Sequence, residues 1–182
     1  MENEDIKIFV PEAEQQPHTR ELDSLAAETE ALRESGNLDA AKRLGRELAA
    51  LSSQSTELAA LSQSFGFTLT PAREQLLRVL MVFSGQHALR AQLPQLLSEA
   101  AVTSMNNYLI NHSKEFWDTI SDGSAFTQYL LAAPAQNQAE PVGVVFARMC
   151  GQEDNPDLCR LGVNVFSTAA KLVKAKWEEA DA

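Results

Sequence analysis

The chain has 182 residues, of which 45% are hydrophobic, a content that excludes general disorder and fits one domain, or one domain with an appendage. Its formal charge of −10 argues against binding a nucleic-acid backbone, because clustered cations supply that affinity. Residues 1–69 carry 13 acidic and 6 basic residues, so the excess lies in the amino-terminal third, where it serves solubility first and could meet a basic partner.

Residues 1–18 read as a flexible acidic tail, within which "IKIFVP" could form a short strand or a docking peptide. The opening "MENEDIKIFVPEAEQQ" lacks the basic and apolar regions of a secretory signal. No apolar run approaches the roughly 20 residues that cross a bilayer, so no membrane association and a cytoplasmic location are expected.

From Thr19 the pattern becomes helical, with Leu22, Leu25, Thr29 and Leu32 recurring at spacings of three and four. "SGN" at 35–37 breaks the helix: Gly36 suits the left-handed position and Asn37 can cap the next helix. That second helix reads as one element to Phe65, about 40 Å long, with Leu44, Leu48, Leu51, Ser55, Leu58, Ser62 and Phe65 on one stripe. Residues 19–66 are therefore expected to form an antiparallel helical hairpin whose narrow apolar seam faces a partner helix. The turn at Gly36 to Ala41, in "LRESGNLDAAKRL", resembles that of a tetratricopeptide hairpin. Gly45 stands where that family favours a large aromatic residue and Leu48 where it favours a small one. A single copy cannot stack into a solenoid, so no family is assigned.

"FGFTLTP" at 65–71 separates the hairpin from residues 70–182, which read as a compact bundle of five or six helices. Thr70 and Pro71 suit the N-cap and first position of a helix that Gly85 is expected to end. A further helix starts near Leu93-Pro94 and runs to Ile120 with a bend; "SDGS" stops it and precedes a short helix, "AFTQYLLAA". After the loop "PAQNQAEP" and "VGVVFARMC", the last helix begins at Pro156. Its polar positions Arg160, Asn164, Ser167, Lys171 and Lys174 form one thin stripe, so it should be nearly surrounded by neighbours. The fold class expected is all-α.

Three stretches carry side-chain chemistry. "CGQEDNPDLC" holds both cysteines, Cys150 and Cys159, at a spacing unlike that of zinc ligands and with no histidine nearby. Helix-boundary roles account for the residues between them: Gly151 after one helix, Asn155 capping the next, Pro156 at its first position and Asp157 at its positive end. A redox-sensitive cysteine pair stays open as a second reading, because a first-turn Cys159 would feel the helix dipole. In "MNNYLINHSKEFWDTI", Met105, Tyr108, His112, Phe116 and Ile120 follow helical spacing. If a small molecule binds anywhere, the surface of Tyr108, His112, Phe116 and Trp117 is where it is expected. His18 and His87 lie in or near expected loops and suggest no chemistry.

Nucleophile elbows, phosphate-cradling glycine loops and metal motifs are missing from the sequence, so no catalytic residue, cofactor or metal is expected. The function expected is that of a non-enzymatic interaction protein. Its hairpin would self-associate or bind a partner helix through Leu44, Leu48, Leu51, Leu58, Leu61 and Phe65, with Leu25 and Leu32 in support. The alternative is a small-ligand-binding or sensory bundle, or an enzyme of a helical class, using the surface around His112.

Overall fold

A computed structural model describes residues 16–121, 123–133 and 139–180. The expected tail, up to residue 15, lies outside the described residues, as do positions 134–138 of the expected loop. The described residues form nine helices and no strand: α1 (Gln16–Glu34), α2 (Asn37–Ser52), α3 (Ser55–Ser64), α4 (Pro71–Gln92), α5 (Gln95–His112), α6 (Lys114–Ser121), α7 (Ser124–Ala132), α8 (Glu140–Met149) and α9 (Pro156–Ala180). The all-α class holds, and α1 packs on α2 as a hairpin.

The helices start where the sequence offers caps. Thr70 accepts a hydrogen bond from the Arg73 amide at 3.3 Å, with Pro71 at the first position of α4. Asn155 Oδ1 accepts from the amides of Asp157 (3.0 Å) and Leu158 (3.2 Å) at the start of α9. Gly36, Gly123 and Gly151 all turn the chain at positive φ, at 79°, 74° and 73°. At Gly36 the glycine itself is the N-cap; Asn37 is already helical and contributes no side-chain cap.

Three expected boundaries differ. The stripe ending at Phe65 is two helices, because Ser52 and Ser53 both donate back to the Ala49 carbonyl, at 2.8 and 3.1 Å. Such local bonds compete with the helical ladder. Arg78 Nε donates to the Ser52 carbonyl at 3.1 Å, which closes α2 and lets α3 fold back onto α4. Gly85 does not end α4, which runs seven residues further to Gln92. A Cβ at Gly85 would sit 3.3 Å from Met105 Cε and 3.7 Å from Leu48 Cδ1, so the glycine serves close packing rather than termination. Finally, the bend expected after Leu93 is a full break at Ser113 between α5 and α6.

One contiguous core runs from Leu38 on α2 to Val173 on α9, across the boundary expected near residues 66–70. α2 lies along α5, α4 packs on α9 and α5, and α8 packs on α9. Small residues make two of these approaches very close. A Cβ at Gly45 would stand 2.0 Å from the Ala101 carbonyl oxygen, and one at Gly143 would stand 2.4 Å from that of Cys159. Between α4, α7 and α9, Phe83 stacks on Tyr129 (centroids 5.1 Å) and Phe166 (6.3 Å), with Phe126 edge-on at 5.8 Å. α9 buries Leu158, Leu161, Gly162, Val165, Phe166 and Val173; of the expected wet stripe Arg160, Asn164, Lys171 and Lys174 face water, while Ser167 is half-buried and Thr168 is exposed in addition.

Candidate functional site

The stripe on α1 has two unlike halves. Leu22 is 66% exposed and Leu25 48%, whereas Thr29 and Leu32 are half-buried. Thr29 Oγ1 donates to the Leu25 carbonyl at 2.7 Å, and Arg33 pairs with Glu30, so local polar groups hold α1 together as a helix. The left-handed turn at Gly36 then brings α2 back alongside, and α5 lies beyond it.

Between α1, α2 and α5 lies an open groove of about 390 Å³. Leu32, Leu38, Leu96 and Ala100 supply its apolar surface; Thr29, Thr103, Ser104 and Asn107 give it polar edges. Lys42 and Glu99 stand on opposite walls, on α2 and α5. Lys42 is held 3.6 Å from Asp39, and Arg46 donates to Ser104 at 3.5 Å across the α2–α5 contact. Leu22 and Leu25 continue the line of Thr29 and Leu32 beyond the groove's end. The groove holds no nucleophile next to a base.

The seam expected to face a partner is occupied within the chain. Leu44 (5% exposed), Leu48 and Leu58 (1%) are core residues, and Leu51, Leu61 and Phe65 are half-buried. The break at Ser53 and Gln54 is the physical reason: α3 turns back, and Leu48, Leu51 and Leu61 converge on Met81 and α9 rather than continuing along one straight face. Leu44, Leu48 and Leu58 therefore offer no area to a second chain in this structure.

The residues around His112 do not share a surface. Tyr108 and His112 stack at 4.1 Å on the exposed end of α5, with His112 Nδ1 2.9 Å from the Tyr108 carbonyl oxygen. The break at Ser113 turns the following residues away: Phe116 is buried beneath the Arg78 guanidinium, 4.1 Å above its ring, and Trp117 packs half-buried on the core. Burial lowers the pKa of Arg78, with Glu74 opposing the shift. Arg78 thus ties α2, α4 and α6 together.

Cys150 and Cys159 are both free thiols, half-buried at the ends of α8 and α9. Burial pushes the Cys150 thiol up in pKa, with Arg73 opposing, so it is held in its less reactive protonated form. Cys159 Sγ lies 3.6 Å from the Glu153 carbonyl oxygen. Arg148 donates to Glu153 across the turn, and this hydrogen bond lowers the Glu153 pKa. Among the described residues no group of three or more His, Cys, Asp or Glu is arranged to hold a metal. No described helix is long and apolar enough to cross a membrane.

His87 is a residue that sequence pattern alone does not single out. With α4 continuing past Gly85, His87 falls one turn after Phe83, with rings 5.9 Å apart, and packs 5.1 Å from Phe166 on α9. Two further features stand apart from any cleft. The Tyr129 hydroxyl is fully buried with no hydrogen-bond partner among the described residues, and its burial pushes its pKa up. Leu130 and Leu131 stand exposed at the end of α7. Compared with protein-family models, curated proteins and solved structures, the chain matches none.

Proposed function

We propose that this chain is a non-enzymatic interaction protein whose hairpin binds an amphipathic helix of a partner protein bearing Lys and Arg beside its apolar face. One observation carries the reading: Leu22 and Leu25 are exposed on α1, in line with the open groove formed with α2 and α5. A lone helix with an unburied apolar half is marginal in water, and a second helix laid along it relieves that. The charge requirement follows from α1 itself. Glu21, Asp23, Glu28, Glu30 and Glu34 flank the leucines, five acids against two bases in α1, Arg20 and Arg33. Two copies of α1 would bring like charges together, whereas a basic helix meets complementary ones.

Magnitudes bound the affinity. Covering the part of Leu22 and Leu25 still exposed contributes about 1–2 kcal/mol each, below the roughly 4–15 kcal/mol that association costs. The groove and the charges must supply the remainder, which sets the complex in the micromolar range or weaker.

The test uses the full chain and a 15-residue probe peptide with leucine at helical spacing and lysine on its flanks, followed by fluorescence anisotropy. The probe should bind the chain, and the double substitution Leu22→Asp, Leu25→Asp should weaken binding about tenfold or more although it adds negative charge. A glutamate-flanked version of the peptide should not bind. Equal binding by wild type and double variant would sink the surface, leaving only charge attraction. Light scattering of the chain alone supplies the other arm: a dimer that the same substitutions dissociate would make the occupant a second copy, and the basic-partner reading would fall.

A further inference from the structure

The α4–α9 cleft at His87 differs in kind from the groove at α1 and supports a conclusion independent of it. Ser84, His87, Ala88, Ala91 and Gln92 form one face of α4, and Phe166, Ser167, Ala170 and Lys171 face them from α9. The space between them, partly open to solvent, is about 240 Å³. It exists because the residues at the helix crossing are small: alanines at 88, 91 and 170 leave room that larger side chains would fill. The rings of His87 and Phe166, 5.1 Å apart and tilted by 41°, wall one end.

Polar groups at this cleft divide into those already used and those free. Ser84 Oγ donates to the Leu80 carbonyl at 2.7 Å, and the Gln92 side-chain amide donates to the Ala170 carbonyl at 2.9 Å. Ser167 and Lys171, one turn apart on α9, have no such partner: among the described residues no hydrogen bond engages the Ser167 hydroxyl and no carboxylate pairs with Lys171. Charge separates this cleft from the others. The clefts at Glu47, at Glu99 and at Glu140 each contain an acid beside their cations, whereas the α4–α9 cleft contains one cation and no acid. In a chain of net charge −10, that is a local reversal of sign.

We propose that the α4–α9 cleft binds a small monocyclic aromatic carboxylate, its ring on Ala88, Ala91 and Ala170 against His87 and Phe166, its carboxylate on Ser167 Oγ and Lys171 Nζ. An engineered apolar cavity of about 150 Å³ holds a benzene ring, so this space admits a ring with one charged substituent. A single lysine on an apolar floor suits a monoanion; phosphate groups call for several donors or a bidentate arginine.

The probe is benzoate, with benzamide as its uncharged counterpart, titrated into the full chain and followed by amide chemical shifts. With about nine non-hydrogen atoms, benzoate should bind in the millimolar range and shift amides of α4 and α9 saturably. Benzamide should bind about tenfold more weakly, the loss expected for one charge-assisted bond. Lys171→Gln, on an exposed position, should bring benzoate down to the benzamide level and leave benzamide unchanged. Ala170→Leu, which fills the floor, should abolish both. The proposal is overturned by any of three results: no saturable shift up to about 20 mM benzoate, equal affinity for the two probes, or undiminished binding in Ala170→Leu.

Discussion

α1 and α2 are consecutive helices with leucines at helical spacing, yet α1 leaves Leu22 and Leu25 in water while α2 buries Leu38, Leu44 and Leu48. Hydrophobic pattern does not separate them; small residues do. α2 presents Ala41, Gly45 and Ala49, all buried, and its backbone comes so close to α5 that a Cβ at Gly45 would collide with the Ala101 carbonyl. At that separation Leu44 and Leu48 reach the core on either side. α1 has no close approach of this kind and rests chiefly on α2, so among the described residues nothing covers Leu22 and Leu25 fully. An apolar stripe says which face of a helix seeks burial; the small residues beside it decide whether the chain itself can provide it.

Substitutions can break this comparison. Gly45→Ala should be the most damaging, at about 3 kcal/mol or more, because the obstacle is backbone that cannot rotate away. Ala27→Leu, which enlarges an exposed position of α1, should change stability by less than about 0.5 kcal/mol. Urea denaturation measures both, and a Gly45→Ala protein as stable as wild type would remove the close approach as the explanation. Leu44→Ala comes next, with an expected loss of about 2–3 kcal/mol, while Leu22→Ala stays within about 0.5 kcal/mol. The pair also sharpens the functional reading, since Leu22→Ala should weaken the lysine-flanked peptide while leaving the denaturation midpoint unchanged. Equal destabilisation by the two would mean that α1 is packed as α2 is.

Much of this architecture is legible in the residues. Gly36, Thr70-Pro71, Gly123, Gly151 and Asn155-Pro156 mark helix boundaries by local chemistry, and each stands at one. The misleading positions are those where a tertiary contact decides. Gly85 reads as a stop but is a packing contact with Met105 and Leu48, which sequence cannot place beside it. Ser52 and Ser53 read as part of a continuous helix; that they break it depends on Arg78, 26 residues beyond Ser52, taking the freed carbonyl. The groove is half legible, since Thr29 and Leu32 lie on a visible stripe while Leu96 and Ala100 join it only through the fold. His87 is not legible at all, because its role depends on α4 continuing past Gly85.

Two of the interhelix turns extend the comparison to the ends of the helices. Both reverse the chain at a left-handed glycine with an asparagine after it, Gly36-Asn37 before α2 and Gly151 with Asn155 before α9. Only the second asparagine caps. Its Oδ1 accepts two amides, and Asn155 Nδ2 also donates to Gln152 Oε1 at 3.1 Å, which braces the turn. Asn37 is one residue too late to cap, and its amide makes only a long contact to Ser35 Oγ at 3.5 Å. Asn155→Ala should therefore cost about 1 kcal/mol, the ordinary worth of a lost N-cap. Asn37→Ala should cost nothing and gain a few tenths of a kcal/mol, roughly the difference in helix propensity. If Asn37→Ala were the more destabilising of the two, the α1–α2 turn would be a fixed structural corner. The expected order would instead mark it as the less braced of the two turns, one through which α1 would adjust its angle under the proposed binding of a second helix.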